Sequence, residues 1–135
     1  MKKQRFIDNE NGTVTDNVTS LIWQGDLKGN LIQLNWHDAI KYAKKLKLAK
    51  LKWRLPTIEE LASLIDYKCS SHATKFLNME PSNYWSSSTD VGNSTDAWYV
   101  NFDFGFVVSN LKTSNYYVRC VSGSMESKSH EKITI

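Results

Sequence analysis

The clearest pattern of apolar and polar positions lies between residues 53 and 66. Pro56 cannot lie inside a helix, and Thr57 after it can accept a hydrogen bond as an N-cap. Glu60 completes a Thr-x-x-Glu capping box. The apolar positions that follow have the i, i+3, i+4, i+7 spacing of a helix with one buried face: Ile58, Leu61, Ala62 and Ile65. The pattern predicts a helix that begins at Thr57 and packs inward.

An earlier segment has a second helical pattern. Asn35 can cap a helix with an apolar stripe that consists of Trp36, Ala39, Ile40, Ala43 and Leu46. The lysines of this segment lie mostly outside the stripe, at Lys41, Lys44, Lys45 and Lys47. A charge run of this kind is typical of a solvated helix face. The alternative is that these four lysines bind sulfated or carboxylated polymers.

The rest of the chain is patterned as short strands and turns. Residues 5–8, 13–16 and 21–24 are strand candidates, and Asn11-Gly12 favours a hairpin turn between the first two. The second half predicts an antiparallel meander with strands at 84–89, 97–104, 106–108 and 116–121. Within 97–104, alternation predicts one buried side with Trp98, Val100, Phe102 and Phe104. Helices that are segregated from a run of hairpins indicate an α+β fold.

Length and composition narrow the class of protein. A chain of 135 residues predicts one domain, which we place at 1–123, with a polar tail at 124–135 that we expect to fray. The net charge of +3 is small and most of the excess comes from the lysine-rich segment, so we expect no nucleic-acid partner. No apolar run approaches the roughly 20 residues of a membrane span, and we expect no membrane insertion. The basic N-terminus has no apolar stretch behind it, so this sequence predicts no signal peptide.

Several sequence blocks, in the right order, resemble a known family. They are residues 11–16 and 21–24, Trp36 with Ala39 and Tyr42, residues 53–57 with Glu60, Leu61 and Asp66, residues 84–88, residues 97–102 and residues 117–121. Together they resemble the bacterial DUF1566 family, the module at the C-terminal end of the Legionella collagen-like adhesin. The resemblance runs from about residue 5 to 123. It implies a C-type lectin-like fold, with two helices flanking irregular antiparallel sheets, in a secreted or cell-surface protein.

The two cysteines, Cys69 and Cys120, can form a disulfide or remain thiols. Members of the resembled family often have a cysteine one residue after the Tyr42 position, which matches the fold's bridge from the first helix to the last strand. This chain has Ala43 there, so the resemblance leaves Cys120 without its usual partner. We therefore expect a buried thiol at Cys120, with a bond to Cys69 as the alternative.

Catalytic and metal chemistry find little support in the sequence. The serines at 86–88 lack the flanking glycines of a nucleophile elbow, and Cys69-x-x-His72 has no second pair to complete a zinc site. The triplet ending in Ser82 lacks the amide of the sugar-binding Glu-Pro-Asn triplet, which argues against calcium-dependent sugar binding. Enzymes of the formylglycine-generating type share the lectin-like fold, but their chemistry needs paired reactive cysteines. We expect no enzyme, no metal and no cofactor.

A binding surface has more support. The second half is rich in short polar residues and tyrosines, a mixture that gives adaptable hydrogen bonds and stacking area. The candidate ligand-binding residues are Asn83, Tyr84, Asp90, Asn93, Asp96, Asn101, Asp103 and Tyr116. We interpret the five tryptophans as core residues, and Arg54 and Arg119 as internal anchors.

These observations and the resemblance favour a non-catalytic recognition module of a bacterial surface or secreted protein, with a glycan, polyanionic in one version, or a protein as its ligand. The alternatives are a structural or assembly domain, including a homo-oligomer, and a protein of the formylglycine-generating type. A cytoplasmic location is the alternative to export.

Overall fold

The computed structural model describes residues 4–25, 32–69, 73–76 and 79–125, and the structural statements below concern these residues. Their elements follow in the order β1 (Phe6–Asp8), β2 (Thr13–Asp16), β3 (Ile22–Gln24), β4 (Gln33–Leu34), α1 (Trp36–Lys45), α2 (Ile58–Ala62), β5 (Asn83–Thr89), β6 (Asp96–Asn101), β7 (Phe106–Leu111), β8 (Tyr116–Tyr117) and β9 (Val121–Ser122). They form a four-stranded sheet, β1-β2-β3-β9, and a five-stranded sheet, β4-β8-β5-β6-β7. The predicted α+β class is confirmed.

The first three predicted strands are confirmed in the four-stranded sheet. β1 and β2 form an antiparallel hairpin in which Phe6 lies opposite Asp16. Gly12 in the connecting turn has a φ of +88°, a conformation that glycine adopts without a steric penalty. The buried Asp16 carboxylate accepts two hydrogen bonds of 2.9 Å from Arg5, which ties the start of the chain to β2.

Helix α1 begins where the sequence predicts. The Asn35 side chain accepts a hydrogen bond from the Asp38 backbone N–H at 2.9 Å, which caps the first turn. Ala39 and Ala43 are fully buried on the face that packs toward the five-stranded sheet. Small side chains at these two positions allow close approach of the helix to the sheet.

Helix α2 has the predicted capping box but ends early. Thr57 accepts from the Glu60 N–H, and the Glu60 carboxylate accepts from the Thr57 N–H. We expected the helical pattern to continue to Ile65, and this is wrong because α2 ends at Ala62. The Ser63 hydroxyl donates to the Glu60 carbonyl at 2.6 Å, and the next backbone bonds span three residues rather than four. The segment therefore tightens into a turn after five helical residues.

The predicted hairpins of the second half are present in the five-stranded sheet. β5, β6 and β7 pair antiparallel, and Val100 and Phe102 are fully buried as the alternation predicts. Phe104, however, is 64% exposed, so its predicted burial is wrong. β6 ends at Asn101, and the chain then reverses through Gly105 with a φ of +84°, which takes Phe104 out of the alternation.

The predicted last strand divides between the two sheets. β8 pairs with β4 and, in parallel, with β5, whereas β9 pairs with β3. Between them, Cys120 and the buried Arg119 bond to Gln24: the Cys120 N–H donates to Gln24 Oε1 at 3.0 Å, and Arg119 Nη1 donates to the Gln24 carbonyl at 3.1 Å. These bonds fix the crossing, and Arg119 is the predicted internal anchor. The prediction of one continuous strand and a purely antiparallel meander is wrong, and β4 was not predicted.

The core forms two clusters, one on each side of the five-stranded sheet. Trp23, Trp53 and Trp85 are buried, as predicted, whereas Trp36 and Trp98 are partly exposed. The tail predicted to fray lies outside the described residues beyond residue 125.

Candidate functional site

The face of the five-stranded sheet opposite α2 is only partly covered by α1. Trp85 pairs with Tyr99, and Asn83 pairs with Asn101. Because directly paired residues share a face and alternate residues along a strand do too, these pairs define the side chains on this face. The side chains that are at least partly exposed there include Asn83, Tyr99, Asn101, Phe106, Val108, Asn110 and Tyr116. We call this set the aromatic-amide face.

The aromatic part of this face is a compact stack. The ring of Tyr116 lies 4.6 Å from the rings of both Trp85 and Tyr99, centroid to centroid. The Tyr116 hydroxyl accepts a 2.7 Å hydrogen bond from Asn110 Nδ2. Burial raises the pKa of Tyr99, and the neighbouring Tyr116 raises it further. Tyr99 therefore remains a neutral phenol at physiological pH and can both donate and accept a hydrogen bond.

The amide part of this face also shapes the turn beside it. Asn101 Nδ2 donates to Asn83 Oδ1 at 2.8 Å. Asn101 Oδ1 accepts from the backbone N–H groups of Asp103 and Phe104 at 3.0 and 2.9 Å, which fixes the β6–β7 turn. A side-chain amide carries two N–H donors, so donors remain on both residues beyond the one used between them. Asp103 itself is exposed in this turn.

Tyr84 does not belong to this face. It lies on the opposite side of β5 and is fully buried, with its ring against Phe102 and Tyr117. Its hydroxyl accepts a 2.8 Å hydrogen bond from the Glu80 N–H, and burial raises its pKa. This corrects the expectation of an accessible ring at Tyr84.

The loop of residues 90–95 holds other candidates away from the amide pair. Asp90 accepts from the Gly92 N–H at 2.9 Å and from the Ser109 hydroxyl at 2.8 Å. Asn93 accepts from the Thr95 hydroxyl at 2.7 Å, and Asp96 begins β6. These side chains are at the Thr89 end of β5, whereas Asn83 is at the other end, about 20 Å away at 3.3 Å per residue. The structure therefore separates Asp90, Asn93 and Asp96 from Asn83 and Asn101.

Sequence reasoning did not select Tyr99, Phe106, Val108 or Asn110. The alternation within 97–104 places Tyr99 on the side opposite Val100, together with Asn101, and this alternation was the available signal. Asn110 was missed because β7 continues to Leu111, beyond the predicted end at residue 108.

The four candidate lysines are exposed on α1 and just after it. We call Lys41, Lys44, Lys45 and Lys47 the lysine surface. The ion pairs among the described residues are Arg5–Asp16, Arg54–Glu60 and Lys75–Asp66, and none involves these lysines. Their charges are thus available to a negatively charged partner.

Other reactive groups are few within the described ranges. Cys120 is fully buried, as predicted, Cys69 is partly exposed, and both are free thiols. Burial raises the pKa of Cys120 to about 12. Within the described part of the chain, no group of three or more His, Cys, Asp or Glu residues could hold a metal ion, and no helix could cross a membrane. His72 lies outside the described residues.

The structure is thus a small α+β domain with one open sheet face of rings and amides and one helix with exposed lysines. The model of the Lcl C-terminal domain family, the DUF1566 family, matches residues 12–122, and the chain belongs to this family. Family membership indicates a bacterial, adhesin-associated module. Comparison with curated proteins and with solved structures gave no match.

Proposed function

We propose that this domain is a non-catalytic recognition module of a bacterial surface or secreted protein and binds a glycan on its aromatic-amide face. The observation that carries the proposal is the placement of Tyr99 and Tyr116 beside the Asn83–Asn101 amide pair on one open sheet face. Family membership supports the adhesin-like role. Two helices beside two small sheets agree with the C-type lectin-like fold, which we propose as part of the same hypothesis.

The chemistry of this face suits a sugar. A sugar ring has apolar C–H patches that pack on aromatic rings, and hydroxyls that need donors and acceptors with fixed positions. Tyr99 supplies a ring and a phenol, and Asn83 and Asn101 supply amide donors. The Tyr116 ring packs against Trp85, and its hydroxyl is hydrogen-bonded to Asn110. Because this side chain is already held in place, it would lose little conformational entropy on binding.

The lysine surface extends the proposal to polyanionic glycans. Four exposed lysines on one short segment would attract sulfate or carboxylate groups without competition from bound carboxylates. Such attraction between exposed charges is screened over about 8 Å at physiological salt. Binding through the lysine surface would therefore weaken steeply with salt, whereas binding through rings and amides would not.

A glycan array that includes sulfated polymers, probed at low and physiological salt, tests the proposal. Asn83→Ala combined with Tyr99→Phe removes donors from the aromatic-amide face and keeps the stacked rings. Replacement of the four lysines by glutamine tests the lysine surface. Val91→Thr, at a fully exposed position in the loop of residues 90–95, is the matched control.

We expect selective binding that the Asn83/Tyr99 variant loses at least tenfold, whereas Val91→Thr leaves it unchanged. Loss in the lysine variant alone, with strong salt sensitivity, would assign the site to the lysine surface. An array without binding, or binding that neither variant changes, would contradict the proposal.

A fully buried Cys120 thiol supports the non-catalytic assignment over one of the formylglycine-generating type, because a reactive thiol must be accessible and readily ionised. The alternative of an assembly domain is favoured by a different feature, the edge of the five-stranded sheet.

A further inference from the structure

β7 is the outermost strand of the five-stranded sheet. Its inner side pairs with β6 along its whole length. In the part of the chain that the structure describes, no strand pairs with its outer side. An open strand edge of six residues presents a row of backbone donors and acceptors to any strand that approaches it.

The register shows which backbone groups point outward. The Lys112 N–H donates to the Thr95 carbonyl at 2.9 Å. Thr95 and Lys112 lie one position beyond the last strand pair, Asp96 and Leu111, and this bond makes them a hydrogen-bonded pair. Such pairs alternate with non-bonded ones along antiparallel strands. The N–H and C=O groups of Val107, Ser109 and Leu111 therefore point away from β6.

This edge lacks the usual protection against pairing. Exposed edges are normally protected by charge, proline or short length. β1 at the edge of the other sheet has three residues and ends in Asp8, and β4 and β9 have two residues each. Residues 104–111 contain no charged residue and no proline. β7 is therefore the one edge of the described sheets that is both long and uncharged.

Apolar side chains along this edge are exposed on both faces of the sheet. Tyr67 donates a 2.8 Å hydrogen bond to the Gly105 carbonyl, between Phe104 and Phe106, whose rings lie 5.6 Å apart. An exposed aromatic side chain offers about 150–250 Å², so these three rings, 74%, 64% and 56% exposed, present on the order of 400 Å².

The exposed apolar area along β7 is sufficient for a weak dimer. Val107, Val108 and Leu111 are 43%, 40% and 51% exposed, and they raise the apolar area of the edge to about 500 Å² per copy. Two copies would bury at most about 1,000 Å² of this area, the lower limit for a specific interface, so the dimer is expected to be weak.

We infer that β7 docks against β7 of a second copy of this chain, in an antiparallel pair about a two-fold axis. With Val108 opposite Val108 of the second copy, the outward groups of Val107 meet those of Ser109 of the second copy and complete the ladder. No like charges meet along residues 104–111, and Gly105, with Tyr67 against it, faces Leu111 of the second copy.

The pairing has a consequence for ligand binding that rests on the proposed function. A two-fold axis perpendicular to the sheet leaves the same face of both copies on the same side. Two aromatic-amide faces would then lie side by side on a continuous sheet. A polymeric glycan could bind both, and its avidity would exceed the affinity of one site.

Sedimentation equilibrium without glycan, from micromolar to millimolar protein, tests the pairing independently of ligand binding. We expect the mass to rise from 15.5 kDa toward twice that value. Val107→Lys places one lysine of each copy next to the axis, both on the face away from the proposed glycan site, and their repulsion should keep the protein at 15.5 kDa. Ile7→Lys, at a comparably exposed position on the edge strand β1, is the matched control and should dimerise like the wild type.

A cross-link tests the register. In a Cys69→Ser background, Val108→Cys should form an intermolecular disulfide on mild oxidation, because Cα atoms in non-hydrogen-bonded pairs lie about 4.5 Å apart. A wild-type protein that is monomeric at all concentrations would overturn the inference. A dimer that Val107→Lys does not weaken, or that Val108→Cys does not cross-link, would overturn this interface.

Discussion

The substitution Glu60→Gln tests how α2 is joined to the rest of the fold. The buried Glu60 carboxylate accepts from Arg54 Nη1 and Nη2 at 2.7 and 2.8 Å and from the Thr57 N–H at 2.8 Å. Arg54, the predicted internal anchor, also donates to the Gly123 carbonyl at 2.6 Å, next to β9. Glutamine can keep the bond to Thr57 and the shape of the side chain, but it removes the negative charge that Arg54 faces.

The expected loss of stability follows from this geometry. A hydrogen bond to a charged group contributes about 1.5–3 kcal/mol, and a neutral one about 0.5–1.5 kcal/mol. Glutamine has one acceptor oxygen, so one bond to Arg54 would be weakened and the other lost, which sets an upper value of about 4 kcal/mol. The Arg54 side chain is 40% exposed, and solvent screening of the pair reduces this to about 1–2 kcal/mol.

The pH dependence identifies the charge as the cause. Burial alone would raise the pKa of Glu60, but the hydrogen bonds from Arg54 and the Thr57 N–H outweigh it and hold the pKa below its ordinary value. The carboxylate therefore stabilises the fold above its unfolded pKa of about 4.3, and this contribution is lost as pH falls through the lower folded value. We expect the stability difference between wild type and Glu60→Gln to narrow below about pH 4.

Urea unfolding from about pH 7 to about pH 3 measures this difference. Glu59→Gln is the control, because Glu59 is adjacent but exposed, and its substitution should change stability by less than about 0.5 kcal/mol. A wild-type advantage over Glu60→Gln that stays constant through the acid range would refute the electrostatic explanation.

Two further predictions concern the cysteines and one turn. In the folded protein at neutral pH, iodoacetamide should modify Cys69 and spare Cys120, because Cys120 is fully buried and burial raises its pKa to about 12. Peptide mass spectrometry identifies the modified cysteines, and early labelling of Cys120 would contradict this prediction. Gly105→Ala should cost about 1–3 kcal/mol, because φ is +84° and the new Cβ would lie 2.6 Å from Tyr67 Cε1. Thermal unfolding with Gly92→Ala as the control measures this, and equal melting temperatures would disprove the strain.

The elements that sequence predicted correctly depend on interactions between residues close in the chain. The Thr57–Glu60 capping box, the Asn35 cap and the turn at Gly12 each involve residues within four positions of one another. The residue types alone determine such contacts, because the donor and acceptor positions follow from the local backbone. The α+β class followed from the order of these local elements.

The elements that sequence missed depend on contacts across the chain. The segment from Tyr116 to Ser122 crosses between sheets because Gln24, about a hundred residues away in sequence, bonds to Arg119 and Cys120. β4 has two residues and exists only because β8 pairs with it. No local pattern distinguishes such segments from ordinary loop or continuous strand.

For the candidate site, the residue types could be predicted from the sequence, but their positions in the fold could not. Asn, Asp and Tyr residues in the second half correctly indicated a polar surface, but their hydrogen-bond partners decide which of them could meet a ligand. Asn101 Oδ1 is used by two N–H groups of its own turn, and Tyr84 is used by the core. Tyr99 was passed over, although it lies between the ring of Tyr116 and the edge strand β7. Pairing through β7 would extend the sheet that carries Tyr99, so the proposed glycan site and the proposed dimer interface lie on neighbouring strands. The Asn83/Tyr99 variant tests glycan binding, and the Val107→Lys variant tests dimerisation.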